Sequence, residues 1–208
     1  TTNPAYGKGR IPVHEAYAFA DLSRQLMDMS GYDIEGDWLR QAAEGKALLE
    51  GAAHCVGTGS KQPVGIFHAN GGLQANYVFS GSAAALTADV LIGMDTQLKP
   101  GYLKNARWLM ERASLRAIKQ MKDGNGAYLW TTGYGTTLAN GTPAAICGYP
   151  YTLAEDAPSI TTNTYPVAFG DFKAGYKVVD HVKAHQIRDE VTQATAGNVR
   201  FIMTRYFG

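Results

Sequence analysis

A chain of 208 residues with 19 basic and 18 acidic side chains carries a formal net charge of +1. It has no basic block longer than a few residues, which argues against a dedicated nucleic-acid binder, though not against diffuse contact with nucleic acid. The composition, 45% hydrophobic but only 18% charged, with 24 Gly and 12 Tyr, supports a real core and suits a surface that partners cover, since about 25% charged is usual. No apolar run approaches the roughly 18 residues of a membrane span.

The length fits one or two domains. No signal peptide precedes Thr1, so a cytosolic origin is expected. The chain opens without Met and stops at Gly208 inside an apparent strand pair, so a piece of a longer protein is expected. Cys55 and Cys147 form no Cys-x-x-Cys pair. Both are expected to be buried free thiols in a reducing compartment.

In chain order, residues 1–10 read as loop. His14 to Met29 carries Tyr17, Phe19, Leu22, Leu26 and Met29, a strand-then-helix pattern that ends at Ser30-Gly31. A long helix is expected over 34–54. Asp33 is its N-cap, Glu35 and Asp37 sit in its first turn, and Ile34, Trp38, Ala42, Leu49 and Ala52 form one stripe. Gly36, Gly45 and Gly51 lie inside it. They read either as places where another backbone approaches or as tolerated costs.

Val56 to Phe67 looks like a Gly-rich phosphate loop, but Lys61 is followed by Gln62-Pro63 and the helix precedes the glycines. The phosphate-loop geometry is therefore absent. The expected structure is a helix C-terminal turn followed by a strand over Val64–Phe67. Residues 68–85 read as loop or exposed sheet edge. Leu86 to Leu98 reads as an amphipathic helix capped by Thr87 or Ser82 and ended by Pro100-Gly101. A buried strand over Ala106–Met110, a helix over Glu111–Met121, a turn at 122–126 and a strand over Ala127–Trp130 make one α/β unit.

After a loop over 131–142, Ile146 to Leu153 reads as a short strand, with Pro150 favouring an edge or an end. Residues 154–166 are polar loop. Val167 to Asp180 reads strand, turn, strand, with turn pairs at Gly170-Asp171 and Ala174-Gly175. Val178 to Arg188 is expected to continue as a long strand. Asn198 to Phe207 alternates, with Val199, Phe201 and Met203 against Arg200, Ile202 and Thr204.

Little of this can do chemistry. His181 and His185 would lie about 13 Å apart on a strand, too far to share a metal. His14-Glu15 lacks the second histidine of a zinc-protease helix. Glu155-Asp156 and Asp189-Glu190 are neighbouring carboxylates, which suit turns rather than acid–base work across a bond. No serine sits in a Gly-x-Ser-x-Gly elbow. No catalytic, cofactor-binding or metal residue is assigned.

Several stretches resemble, in order, the tailed-phage major capsid proteins of the Hong Kong ninety-seven type. Leu22 to Leu26 is similar to the segment before that family's spine helix, and Asp33 to Val56 to the spine helix itself. Gly57 to Ile66 resembles the Gly-rich connection that follows. Trp108 to Trp130 resembles the strand–helix–strand of the axial domain. Gly148 to Leu153 and Val167 to Asp180 resemble the next strands. Ile187 to Asp189 and Asn198 to Phe201 resemble the closing strands of the peripheral domain.

The resemblance implies an α+β capsid fold, truncated at both ends. Residues 1–66 would hold the tail of an extended loop and a peripheral domain with the spine helix at about 34–54. Residues 67–179 would form the axial domain, and 180–208 the return strands. It implies a non-enzymatic subunit of an icosahedral bacteriophage or prophage shell, made in the host cytoplasm. It would assemble with itself into hexamers and pentamers around double-stranded DNA. Portal, scaffold or decoration proteins are further partners, with no cofactor and no membrane. Loops 68–85 and 131–145 are the expected contacts near local axes.

Some members cross-link through a Lys–Asn bond assisted by a glutamate. Asn198 falls at the asparagine, but Arg205 at the acid, and only Lys8 is left to replace the lysine, so no cross-linking is expected. An encapsulin-like compartment shell and a small α+β enzyme without a recognisable motif are the alternatives.

Overall fold

The computed structural model describes residues 10–68, 78, 85–129, 145–181 and 184–208. The expected axis-contact loops, Lys8 and Trp130 fall wholly or mostly outside them. The chain divides into two compact units. One comprises Thr1–Ala53, Gly59–Pro63 and Val178–Gly208, and the other His54–Thr58 and Val64–Lys177.

In the first unit, strand β1 (His14–Ser23) leads into the short helix α1 (Arg24–Met29) and then α2 (Ile34–Val56). The strand-then-helix expectation holds here. The α2 N-terminus is capped as expected: the Gly36 N–H donates to Asp33 Oδ1 at 3.0 Å. A Cβ on Gly36 would collide with that Asp33 carboxylate, whereas one on Gly45 would meet nothing within 4 Å. The cap therefore accounts for Gly36, and no neighbour among the described residues accounts for Gly45.

Strands β6 (His185–Asp189) and β7 (Asn198–Phe207) complete an antiparallel three-stranded sheet in the order β1-β7-β6. The alternation of β7 buries Val199, Phe201 and Phe207 on one face. There α2 lies along the sheet, with the Trp38 and Phe201 rings 5.5 Å apart. Arg188 reaches Glu35 at 3.4 Å near one end, and Arg205 reaches Glu50 at 3.6 Å near the other.

The expected long strand over 178–188 is corrected. Asp180 bridges Phe207 and His185 pairs with Thr204, so the chain spends extra residues between them. Because the register shifts between these two pairs, they do not belong to one continuous ladder.

The second unit holds a four-stranded sheet in the order β3-β4-β2-β5. These strands are β2 (Arg107–Met110), β3 (Ala145–Ile146), β4 (Tyr149–Leu153) and β5 (Val167–Gly170). Helices α3 (Ala88–Gln97), α4 (Pro100–Leu103) and α5 (Arg112–Lys119) complete its chain up to residue 119. Leu91, Trp108, Met110, Leu115, Ile118, Ile146 and Val167 form its core. Trp108 is fully buried, and its indole N–H donates to the Ile146 carbonyl at 2.9 Å, so its polar atom is satisfied.

Three expectations change in this unit. Ile146 to Leu153 is two strands, joined by Cys147-Gly148 at φ 51° and 84°. Two successive positive φ values are what the tightest hairpin turn requires, and Gly148 adopts one without strain. Val64–Phe67 and Ala127–Tyr128 make only isolated bridges, at Val64 to Thr58 and Tyr128 to Lys122. Val167 to Asp180 is not strand, turn, strand. After β5, the Asp171 carboxylate accepts the N–H groups of Lys173 and Ala174 and caps a single helical turn, α6 (Phe172–Gly175). A capping aspartate before four non-branched residues favours that turn over a second strand.

The Val64–Phe67 segment closes the end of α2. Helix termini leave carbonyls without partners. Here Ile66 and Phe67 donate to the His54 and Cys55 carbonyls, each at 2.9 Å, and Gly65 donates to Gly57 at 2.8 Å. The Tyr176 hydroxyl adds a bond to the Val64 carbonyl at 2.8 Å and lies 3.1 Å from His54 Nδ1. The glycine-rich stretch is thus a helix cap, not a phosphate cradle.

Candidate assembly interface

The face of the β1-β7-β6 sheet opposite α2 reads as rows across three strands. Because side chains alternate, every second register pair faces this way. Asp21, Arg200 and Asp189 form one row, and Phe19, Ile202 and Ile187 the next. Tyr17, Thr204 and His185 follow. Glu15 and Tyr206 form a last row, with His181 beside them, since its N–H donates to the Tyr206 carbonyl at 3.0 Å.

The apolar row is open. Phe19 and Ile187 are 57% and 55% exposed, and Tyr17 is 71% exposed and stacked on Phe19 at 6.5 Å. Large apolar side chains in register, on a face that no other described residue covers, are unusual for an isolated soluble domain.

The charge row beside it is internally paired. Arg200 donates two bonds to Asp21, at 2.6 and 2.7 Å, and its guanidinium lies 5.2 Å from the centre of the Phe19 ring. The Asp21 carboxyl is held below its ordinary 3.8 by that hydrogen bonding. On the α2 side, Arg205 bonds both carboxylate oxygens of Asp180, which lowers the Asp180 carboxyl and raises the arginine. Lys46 is pushed down, first by burial and then by Arg205. Its Nζ is buried without a hydrogen-bond partner among the described residues.

Depressed carboxyl pKa values fix the sign of a pH effect. The stability given by the Asp21–Arg200 and Asp180–Arg205 pairs is complete above the unfolded value of about 3.8 and lost as pH falls through the lowered folded values. Thermal unfolding followed from pH 6 to pH 2 should therefore weaken in the acid range. The double variant Asp21→Asn with Asp180→Asn should show a shallower acid slope. Equal slopes would contradict the role of the two pairs.

The other sequence candidates are structural. Asp189 accepts from the Val191 and Thr192 N–H groups at 2.9 and 3.0 Å. Glu190 pairs with Arg188 at 2.9 Å and Arg24 at 4.0 Å. Glu155 and Asp156 lie in a turn. The His181 and His185 rings are 6.2 Å apart, not 13 Å, because four residues advance only two register positions along β7. No group of three or more His, Cys, Asp or Glu among the described residues could hold a metal ion. Cys55 is half-buried and Cys147 exposed, so the expectation of two buried thiols is corrected; both are free. Cys147 is exposed because it occupies the hairpin tip. No helix among the described residues is long and apolar enough to cross a membrane.

The open row was missed in the sequence. Its signal was present in Tyr17 and Phe19, two apart on an edge strand, but pairing them with Ile187 needed the register.

Comparison with known proteins places this geometry. A model of the phage capsid family matches residues 1–208. No curated protein matches the chain. Among solved structures, the capsid of an empty GTA particle, computed with C5 symmetry, is 33% identical with a TM-score of 0.82, over 95% of this chain and 69% of that one. The native GTA particle capsid is 32% identical with a TM-score of 0.82, over 95% and 68%. A chain from Gordonia phage Cozz shares the fold at 13% identity and a TM-score of 0.60, over 100% and 74%.

Proposed function

The chain belongs to the phage capsid family and is a structural subunit of the capsid of a phage particle; from that premise we propose how it builds the shell. Copies of the chain meet through the open face of the β1-β7-β6 sheet and along the edge of β1 that no described strand pairs. They gather as hexamers and pentamers and enclose double-stranded DNA. The exposed row of Phe19, Ile202 and Ile187, with Tyr17 beside it, carries this reading.

The β1 edge supports it. Exposed edges are normally blunted by lysine, proline or shortness. β1 runs ten residues, His14–Ser23, with no lysine and no proline. Burying the exposed part of Tyr17, Phe19 and Ile187 would contribute roughly 1–2 kcal/mol each. That is modest for one contact, but closed symmetry repeats it at every copy.

The first compact unit acts as the peripheral domain, with α2 as its spine, and the second as the axial domain. The limits of the units at Val64, Lys177 and Val178 support the division expected at 66/67 and 179/180. The shell forms in the host cytoplasm, and portal, scaffold or decoration proteins complete it.

The subunit works without catalysis. Asn198 opens β7, and Arg205 is held by Asp180 and Glu50 where the cross-linking acid would stand. Assembly is therefore non-covalent. Full-length product should sediment as large particles that boiling in detergent returns to a single subunit band. A ladder of covalent multimers would contradict this, and a sample that sediments only as subunits would contradict the assembly itself.

A further inference from the structure

From the outward side of α5 we infer a contact site for the phosphate backbone of double-stranded nucleic acid, formed by Arg112, Arg116 and Lys119. Ser114, Leu115 and Ile118 are buried, which turns the opposite side of the helix outward. Arg112 and Arg116, both exposed, and Lys119, half-buried at the edge of that side, fall at i, i+4 and i+7, one stripe on an α-helix. The three charges span about 10 Å along the axis at 1.5 Å per residue. Duplex DNA presents about one phosphate charge per 1.7 Å of its own axis, so a straight line of cations this long faces several phosphates.

Two observations bear on what this stripe can bind. First, its charges are unspent. None of the three lies within ion-pair distance of a carboxylate among the described residues. In the other unit, five of the six described arginines, Arg24, Arg40, Arg188, Arg200 and Arg205, pair with an acid. The acids flanking α5 are engaged elsewhere: Glu111 accepts from the Ser159 hydroxyl, and Asp123 from the Asn125 and Ala127 N–H groups.

Second, the stripe has no apolar anchor. Its exposed neighbours on the helix are Ala113 and Gln120. Protein interfaces draw their energy from a buried aromatic or aliphatic centre, which this surface does not offer. Phosphate contacts need only positioned cations. The site reads charge and not sequence, and a net charge of +1 for the whole chain does not reveal it.

The inference rests on the capsid reading for its partner, and one experiment separates the two. Binding of the full chain to a labelled 30-base-pair duplex of arbitrary sequence would be measured by fluorescence anisotropy between 50 and 200 mM salt. Three phosphate contacts predict a log–log salt slope of about −2.7, a loss of about 40-fold over that range. Arg112→Gln, Arg116→Gln and Lys119→Gln should each lower the slope by about 0.9, and the triple variant should lose salt-dependent binding. Circular dichroism would show that the variants stay folded.

An unchanged slope in the triple variant would overturn the site. So would tighter binding of polyglutamate than of DNA through the same three residues, which would assign the stripe to an acidic protein. Shells that form normally from a chain with no stripe-dependent DNA binding would refute this inference alone. Stripe-dependent binding by a chain that never forms shells would refute the capsid reading and keep the site.

Discussion

Phe19→Asp combined with Ile187→Asp is expected to abolish shell formation while leaving the subunit folded. Both side chains are more than half exposed, at 57% and 55%, so neither holds the core. Surface substitutions of this kind usually change stability by little. Phe19 also sits under Arg200, which offers a new carboxylate a partner. In a closed shell the same two positions would be buried against another copy. An unpaired charge buried at such a contact costs roughly 3–5 kcal/mol, and about 1.4 kcal/mol is a factor of ten in affinity. The concentration needed for assembly should rise at least 100-fold, with the melting transition of the subunit little changed. Normal shells from the double variant would remove the open sheet face from the account.

Gly65→Ala is expected to be strongly destabilising. A Cβ there would lie 2.5 Å from both the Cys55 carbonyl oxygen and the Gly57 nitrogen. Both are backbone atoms, so no side chain can swing aside. The segment would have to withdraw, breaking the bonds from Gly65, Ile66 and Phe67 that close α2. Each orphaned carbonyl costs about 1–3 kcal/mol. A loss of roughly 4 kcal/mol follows, near the exceptional end for one substitution, or a melting-temperature drop of about 10 °C for a chain of this size. Gly45→Ala is the control. It meets open space in the interior of α2, so the isolated subunit should gain about 0.5–1 kcal/mol. A Gly65→Ala protein that melts with the wild type would contradict the capping role of the segment.

The contrast between these glycines shows what the sequence could tell and where it stopped. The spacing of Ile34, Trp38 and Ala42 and the cap at Asp33 are local properties, and they placed α2 correctly. The alternation of β7 is local too. That Gly65 touches the helix end, or that Gly45 touches nothing, depends on where the chain returns.

The same limit explains the corrected elements. Asp171 capping a helical turn and Cys147-Gly148 making a hairpin both compete with strand patterns that look equally good in a short window. Tyr176, read as a strand residue, instead carries the hydroxyl that reaches Val64, more than a hundred positions away. The two histidines were misjudged because an insertion beside β7 cannot be seen in a spacing of four. The candidate interface was legible only in pieces. Phe19 and Ile187 become one surface through Ile202, and that adjacency is a fact of register rather than of composition.

Electron microscopy of the full-length product should show closed polyhedral shells built from repeated copies of this chain. A product that is well folded, concentrated and soluble, yet shows only single subunits and no shells, alone or with the other proteins of its particle, would contradict the capsid reading.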